Sequence, residues 1–246
     1  MLLSVIGTFQ NMMNKSQSRL HSMFKETYRS HYTDNAYIID DLYKSLNQYI
    51  DGAELDLNVK FNTFFGNLHE KVYIMVKPFN SFDTKYRNCI RDNTNVVKPF
   101  GTRQQYISFQ MTRAFEASRV FLQGLKEGQD VALKLLDSPV HEQCKMAFMK
   151  MTHCSICYGL NPNAKPCANY CLNVMKGCYA YVTMLQPRWN TYINSMINLV
   201  AKLKGPFNME VLVVPLGVQI SEAIMEFQYN TKNITQKVSI LFLVEF

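Results

Sequence analysis

Five of the chain's seven cysteines fall between Cys154 and Cys178, in the run CSICYGLNPNAKPCANYCLNVMKGC. Thiols this crowded bind a metal, pair with other thiols, or are buried side chains clustered by chance. Cys154 and Cys157 stand three residues apart, so on a helix both project from one face. With a helical turn of about 100° per residue, Cys171 lies about 40° round from Cys167 and Cys178 about 20°, which places three sulfurs on one face. Zinc is the sharper reading, since Cys-x2-Cys followed by Cys-x3-Cys supplies four thiolates at tetrahedral spacing. Disulfides are the broader one. Cys178 sits roughly 10.5 Å beyond Cys171 along a helix, too far to share an ion bound at about 2.3 Å. Zinc therefore leaves Cys178, Cys144 and Cys89 without a role. Spacing favours disulfides and leaves zinc open.

Other chemistry finds little support. His21, His31 and His69 sit in polar helical contexts, and His141 and His153 flank the cysteine run without a nucleophile or carboxylate beside them. All five read as surface or cap residues. No Gly-rich phosphate loop, HExxH or GxSxG occurs, so no catalytic residue, cofactor-binding residue or metal site is assigned. The net charge of +7 comes from scattered lysines and arginines rather than a basic run, and no nucleic-acid partner is expected.

The elements that carry these residues read as helices. Hydrophobic residues make up 48% and charged residues 18% of the 246 positions, which excludes a disordered chain. An apolar stripe from Val5 to Phe24 predicts a first helix over residues 2–29, and Tyr37, Ile38, Leu42 and Leu46 predict a second from Asp34 to Ile50, stopped at Asp51-Gly52. Leu57, Phe61, Phe65, Leu68, Val72 and Met75 give the clearest helix, ended by Pro78. After a polar break at Asn80 to Asp83, a short helix carries Cys89. A turn at Pro99-Phe100-Gly101 precedes a long helix from about Thr102, interrupted near Gly128 and resumed to Leu136. Ser138-Pro139 opens the helix that carries Cys144 towards Cys154. Pro187 begins another that stops at Gly205-Pro206, and a last helix holds Val218, Ile220, Ala223, Ile224 and Phe227.

The cysteine run also carries a resemblance. Cys154-x2-Cys157-x-Gly159-Leu160, then Pro166-Cys167-x2-Tyr170-Cys171-x2-Val174-x2-Gly177-Cys178, is similar to the signature of glypicans, the cell-surface heparan sulfate proteoglycans. Arg113-Ala114-Phe115-Glu116-Ala117-Ser118-Arg119 upstream, and the phrases GPFNME and ISEAIMEFQ downstream, look like the same family. One departure is the loop at Asn161-Pro162-Asn163, a residue longer than the family's. The likeness fades at about Ser239, so residues 1–238 read as a partial glypican core and 239–246 as an aberrant or truncated tail.

The resemblance implies a non-enzymatic, all-α, elongated helical bundle stapled by disulfides. It implies a Cys144–Cys178 bond within the chain, with Cys154 and Cys157 bonded to an amino-terminal segment outside it and Cys89, Cys167 and Cys171 to a carboxy-terminal one. It raises the standing of two N-glycosylation triplets, at Asn14 and Asn233. The expected protein is the core of a GPI-anchored proteoglycan on the extracellular side of the plasma membrane, modulating Wnt, Hedgehog, FGF and BMP signalling. Neither a secretory leader nor an anchor signal is legible at the ends, and no Ser-Gly pair is present to start a heparan sulfate chain. These absences and the odd cysteine count read as a piece of a secreted protein. An intracellular zinc-stabilised helical module is the alternative.

Overall fold

A computed structural model describes residues 2–77, 82–161 and 163–245, so Pro78, Asn80, Ser81 and Pro162 lie outside the described residues. All regular structure among them is helical. The chain divides into two compact units, residues 1–123 with 199–246, and residues 124–198.

The first unit is built on amphipathic stripes. Helix α1 (Leu2–Tyr28) buries Met13, Leu20 and Phe24, and a short α2 (Ser30–Thr33) follows a turn at Arg29. Helix α3 (Tyr37–Ile50) puts Ile38, Leu42 and Leu46 at four-residue steps on its buried face. The expected second helix therefore begins at Tyr37 rather than Asp34. Helix α4 (Leu57–Val76) starts where the Asp56 carboxylate accepts from the amides of Asn58 and Val59 at 2.8 and 3.3 Å. Phe61 and Phe65 on this helix are fully buried, as are Phe100, Phe115 and Phe227 from other elements.

His69 continues the Phe61, Phe65 ladder by one more turn and is likewise fully buried, which corrects its reading as a surface residue. Its ring meets Tyr73, Phe100 and Phe227. Helix α5 (Thr84–Asp92) and α6 (Thr94–Val97) pack against α4, and α7 (Arg103–Leu136) follows. Beyond Lys204 follow α12 (Met209–Val213), α13 (Leu216–Tyr229) and α14 (Thr231–Glu245). Helix α13 is thus not the last: α14 adds Ile234 and Val238 to the core. Ser16 ties three elements together, bonding the Tyr43 hydroxyl at 2.8 Å and donating to the Val213 carbonyl at 2.6 Å.

The second unit holds the end of α7, α8 (Glu142–Cys157), α9 (Ala168–Cys178), α10 (Ala180–Thr183) and the first part of α11 (Gln186–Lys204). Helix α7 runs unbroken through Gly124 and Gly128, which corrects the interruption expected there. A Cβ on Gly128 would lie 2.3 Å from the Tyr192 hydroxyl, and one on Gly124 2.7 Å from the Met196 sulfur. These glycines allow close packing of α11 rather than ending α7. Tyr192 uses that room to donate to the Gly124 carbonyl at 2.8 Å.

Candidate functional site

Two features of this fold bear on function, the cysteine framework of the second unit and an apolar cleft in the first. Cys144, in the first turn of α8, is bonded to Cys178 at the end of α9, with Cα atoms 5.5 Å apart and a sequence separation of 34. The disulfide joins the two helices into a hairpin. The His141 ring caps α8 by accepting from the Gln143 amide, as the sequence reading of that residue expected.

Cys154 and Cys157 end α8, Cys167 is the residue before α9, and Cys171 lies within it. All four are thiols at least partly open to solvent. Among the described residues no three His, Cys, Asp or Glu side chains converge as metal ligands would. Exposed Met146, Met149, Tyr158, Leu160, Leu172 and Met175 surround the framework, an unusual density of large apolar side chains for a free surface. Cys89 is elsewhere, buried on α5 in the first unit, where its sulfur accepts from the Asn93 side chain at 3.7 Å. Asn14 is exposed on α1 although Ser16 of its triplet is buried, and Asn233 is exposed on α14.

The cleft, of about 290 Å³, opens among α1, α2, α3, α4, α5 and α13. Phe24 and Tyr28 of α1, Ile38 and Ile39 of α3, Leu68, Val72, Ile74 and Met75 of α4 and Ile224 of α13 supply its apolar wall. His31, Tyr32, Asn35, Lys71 and Arg87 complete the lining, so every charged side chain there is basic. The wall at α2 is held by a polar relay. His21 bridges the Tyr32 hydroxyl at 2.5 Å and the Asp40 carboxylate at 3.0 Å, and Gln17 donates to the same carboxylate at 2.8 Å. Asp40 accepts from Nε2–H of His21, which leaves Nδ1 to accept from the phenol. Burial, with the Asp40 charge and then Tyr43, pushes the Tyr32 pKa well above its ordinary value, so Tyr32 is a donor and not a nucleophile.

Arg29, at φ 51° and ψ −127°, turns the chain from α1 into α2. This positive φ costs a non-glycine residue about 1–3 kcal/mol, so the turn between the lining residues Tyr28 and His31 is tightly determined. Sequence reasoning missed the cleft. Its apolar residues belong to the same stripes that build the core, and periodicity cannot distinguish a side chain facing a neighbour from one facing a void.

A family model described as Glypican matches residues 4–241. Glypican-1 of Gallus gallus is 33% identical over 230 residues, covering 94% of this chain and 42% of that protein. A solved structure of C-terminally truncated glypican-1 shares 32% identity and a TM-score of 0.87, over 98% of this chain and 57% of that one. The structure of Dally-like protein in complex with O-palmitoleoyl serine shares 34% identity and a TM-score of 0.78, over 96% and 56%. The chain spans about two-fifths of the length of the curated relatives it matches.

Proposed function

The chain belongs to the glypican family, and from that premise we propose that it is part of the non-enzymatic core of a heparan sulfate proteoglycan, held on the extracellular face of the plasma membrane by a GPI anchor. Its role is to tune secreted growth factors and morphogens of the Wnt, Hedgehog, FGF and BMP classes, through the core as well as through sulfated chains attached outside this segment. Cys154 and Cys157 bond to an amino-terminal segment of the longer protein, and Cys89, Cys167 and Cys171 to a carboxy-terminal one. The exposed apolar side chains around the framework are the surface those segments cover. Asn14 and Asn233 carry N-linked glycans; the buried Ser16 hydroxyl requires Asn14 to be modified before α1 packs. Peptide mapping of the secreted longer protein without reduction reads both proposals. Intact thiols at Cys154 and Cys157, or unmodified Asn14 and Asn233, would remove the corresponding one.

The observation that carries the core's direct role is the cleft of about 290 Å³, in a fold shared with a protein solved in complex with O-palmitoleoyl serine. We infer that this cleft receives a long acyl chain borne by a secreted signalling protein. Aliphatic and aromatic walls suit such a chain, whose burial contributes about 0.8 kcal/mol per CH₂. Calorimetric titration with a terminally blocked serine peptide O-acylated with palmitoleate tests this. Met75 is half-buried on the wall, so Met75→Trp fills the space with little strain on the core. Binding should weaken about tenfold or more, roughly 1.4 kcal/mol, with thermal unfolding unchanged. No saturable binding, or equal binding by the variant, would sink the assignment.

A further inference from the structure

The cleft's polar groups specify more than an acyl chain. Three of its polar groups are already engaged: the Tyr28 hydroxyl bonds Ser221 at 2.9 Å, Tyr32 bonds His21, and the Asn35 amide donates to the His31 carbonyl at 2.9 Å. The His31 ring and two cations, Lys71 and Arg87, remain. Arg87 donates through Nε to the Phe82 carbonyl at 3.2 Å, which leaves both terminal nitrogens of its guanidinium, and among the described residues no carboxylate lines the cleft to receive them. Lys71 lies 3.3 Å from the buried Glu70 carboxylate, but Glu70 is shared with Arg91 at 3.7 Å, so a single anion serves two cations. A neutral ester would leave these donors to water. An anionic head would complete their hydrogen bonding and gain from the single sign of the lining charge.

We propose that the cleft selects amphiphiles with an anionic head, of which a long-chain carboxylate is the simplest, the chain lying against α3 and α4 and the head held by Lys71 and Arg87. This rests on the reading of the cleft as an acyl site. It departs from that reading in predicting that a free fatty acid competes with, and outbinds, a neutral acyl ester of the same chain. The core would then sense lipid carboxylate as well as acylated protein.

The test compares palmitoleate with methyl palmitoleate, below the concentration of micelle formation and at constant ionic strength. It uses the whole chain, Lys71→Gln/Arg87→Gln, and a control, Lys232→Gln/Lys237→Gln, that removes equal charge from exposed positions on α14. Palmitoleate should bind about tenfold tighter than its ester, the scale of a hydrogen bond to a charged group. The cleft variant should lose that advantage while holding the ester within about twofold, and the control should keep it. Equal binding of the two ligands by the unmodified chain would overturn the anionic preference and leave the acyl cleft standing. A preference that survives in the cleft variant, or disappears in the control, would overturn the assignment to Lys71 and Arg87. Failure of both ligands to bind would overturn the acyl reading itself.

Discussion

His69 shows how one residue can be legible in spacing and misleading in type. Phe61, Phe65, His69 and Tyr73 follow one another at four-residue steps, so the ladder placed the imidazole on the buried face while its polarity argued for the surface. Tertiary packing decided for the spacing. Thr94 spends its hydroxyl proton on the Arg91 carbonyl at 2.9 Å, so its oxygen accepts from Nδ1–H of His69 at 2.9 Å. Nε2 is then a bare, buried acceptor without a partner among the described residues. Burial lowers the His69 pKa from 6.5 to about 3. The unfolded chain therefore binds a proton between these values that the folded chain does not. The contribution of neutral His69 is complete above pH 6.5 and is lost as pH falls towards 3, at about 1.4 kcal/mol per pH unit. His69→Phe keeps the ring contacts and should flatten the fall in the urea midpoint between pH 6.5 and 4.5 by an amount of order 2 kcal/mol. Equal slopes in variant and parent would show that His69 does not govern acid stability.

At the scale of elements, the sequence was most readable where one face is buried and a cap is local. Helix α4 has both, while α3 has the buried face but no side-chain cap at its start, which is where its expected bound was wrong; Asp51-Gly52, with Gly52 at φ 104°, marks the end of α3. Helix α7 was misread because Gly128 has two physical meanings that look alike in one dimension. Glycine weakens a helix by about 1 kcal/mol, yet it also permits another element to approach where any Cβ would collide. The Tyr192 hydroxyl, 64 positions away, chose the second meaning. The cleft was hidden for a related reason. Ile38, Ile39, Leu68 and Val72 have the residue types and spacing of core, and only the arrangement of α2 behind Arg29 leaves space in front of them. The His21 relay that fixes α2 joins three helices through single polar residues, none with a distinctive neighbour in sequence.

For the molecule as a whole, the two units hold themselves together by different means. The first has a continuous aromatic and aliphatic core, with five phenylalanines fully buried. In the second, α8, α9 and α11 contribute no buried residue, so the usual apolar driving force is weak there. The Cys144–Cys178 bond closes a loop of 34 residues, which should stabilise the hairpin by about 3–4 kcal/mol through restriction of the unfolded chain. That is a large share of what a poorly buried unit can have. Cys144→Ser/Cys178→Ser should therefore open residues 124–198 selectively. Under limited proteolysis new cuts should gather within α8, α9 and the loop between them, while amide protection in α3 and α4 persists. Hydrogen exchange resolved by peptide separates this from a global loss of stability. If protection falls equally in both units, the disulfide supports the whole fold. If it falls in neither, the hairpin is held by its helix contacts alone, and the disulfide has only a covalent role in the longer protein.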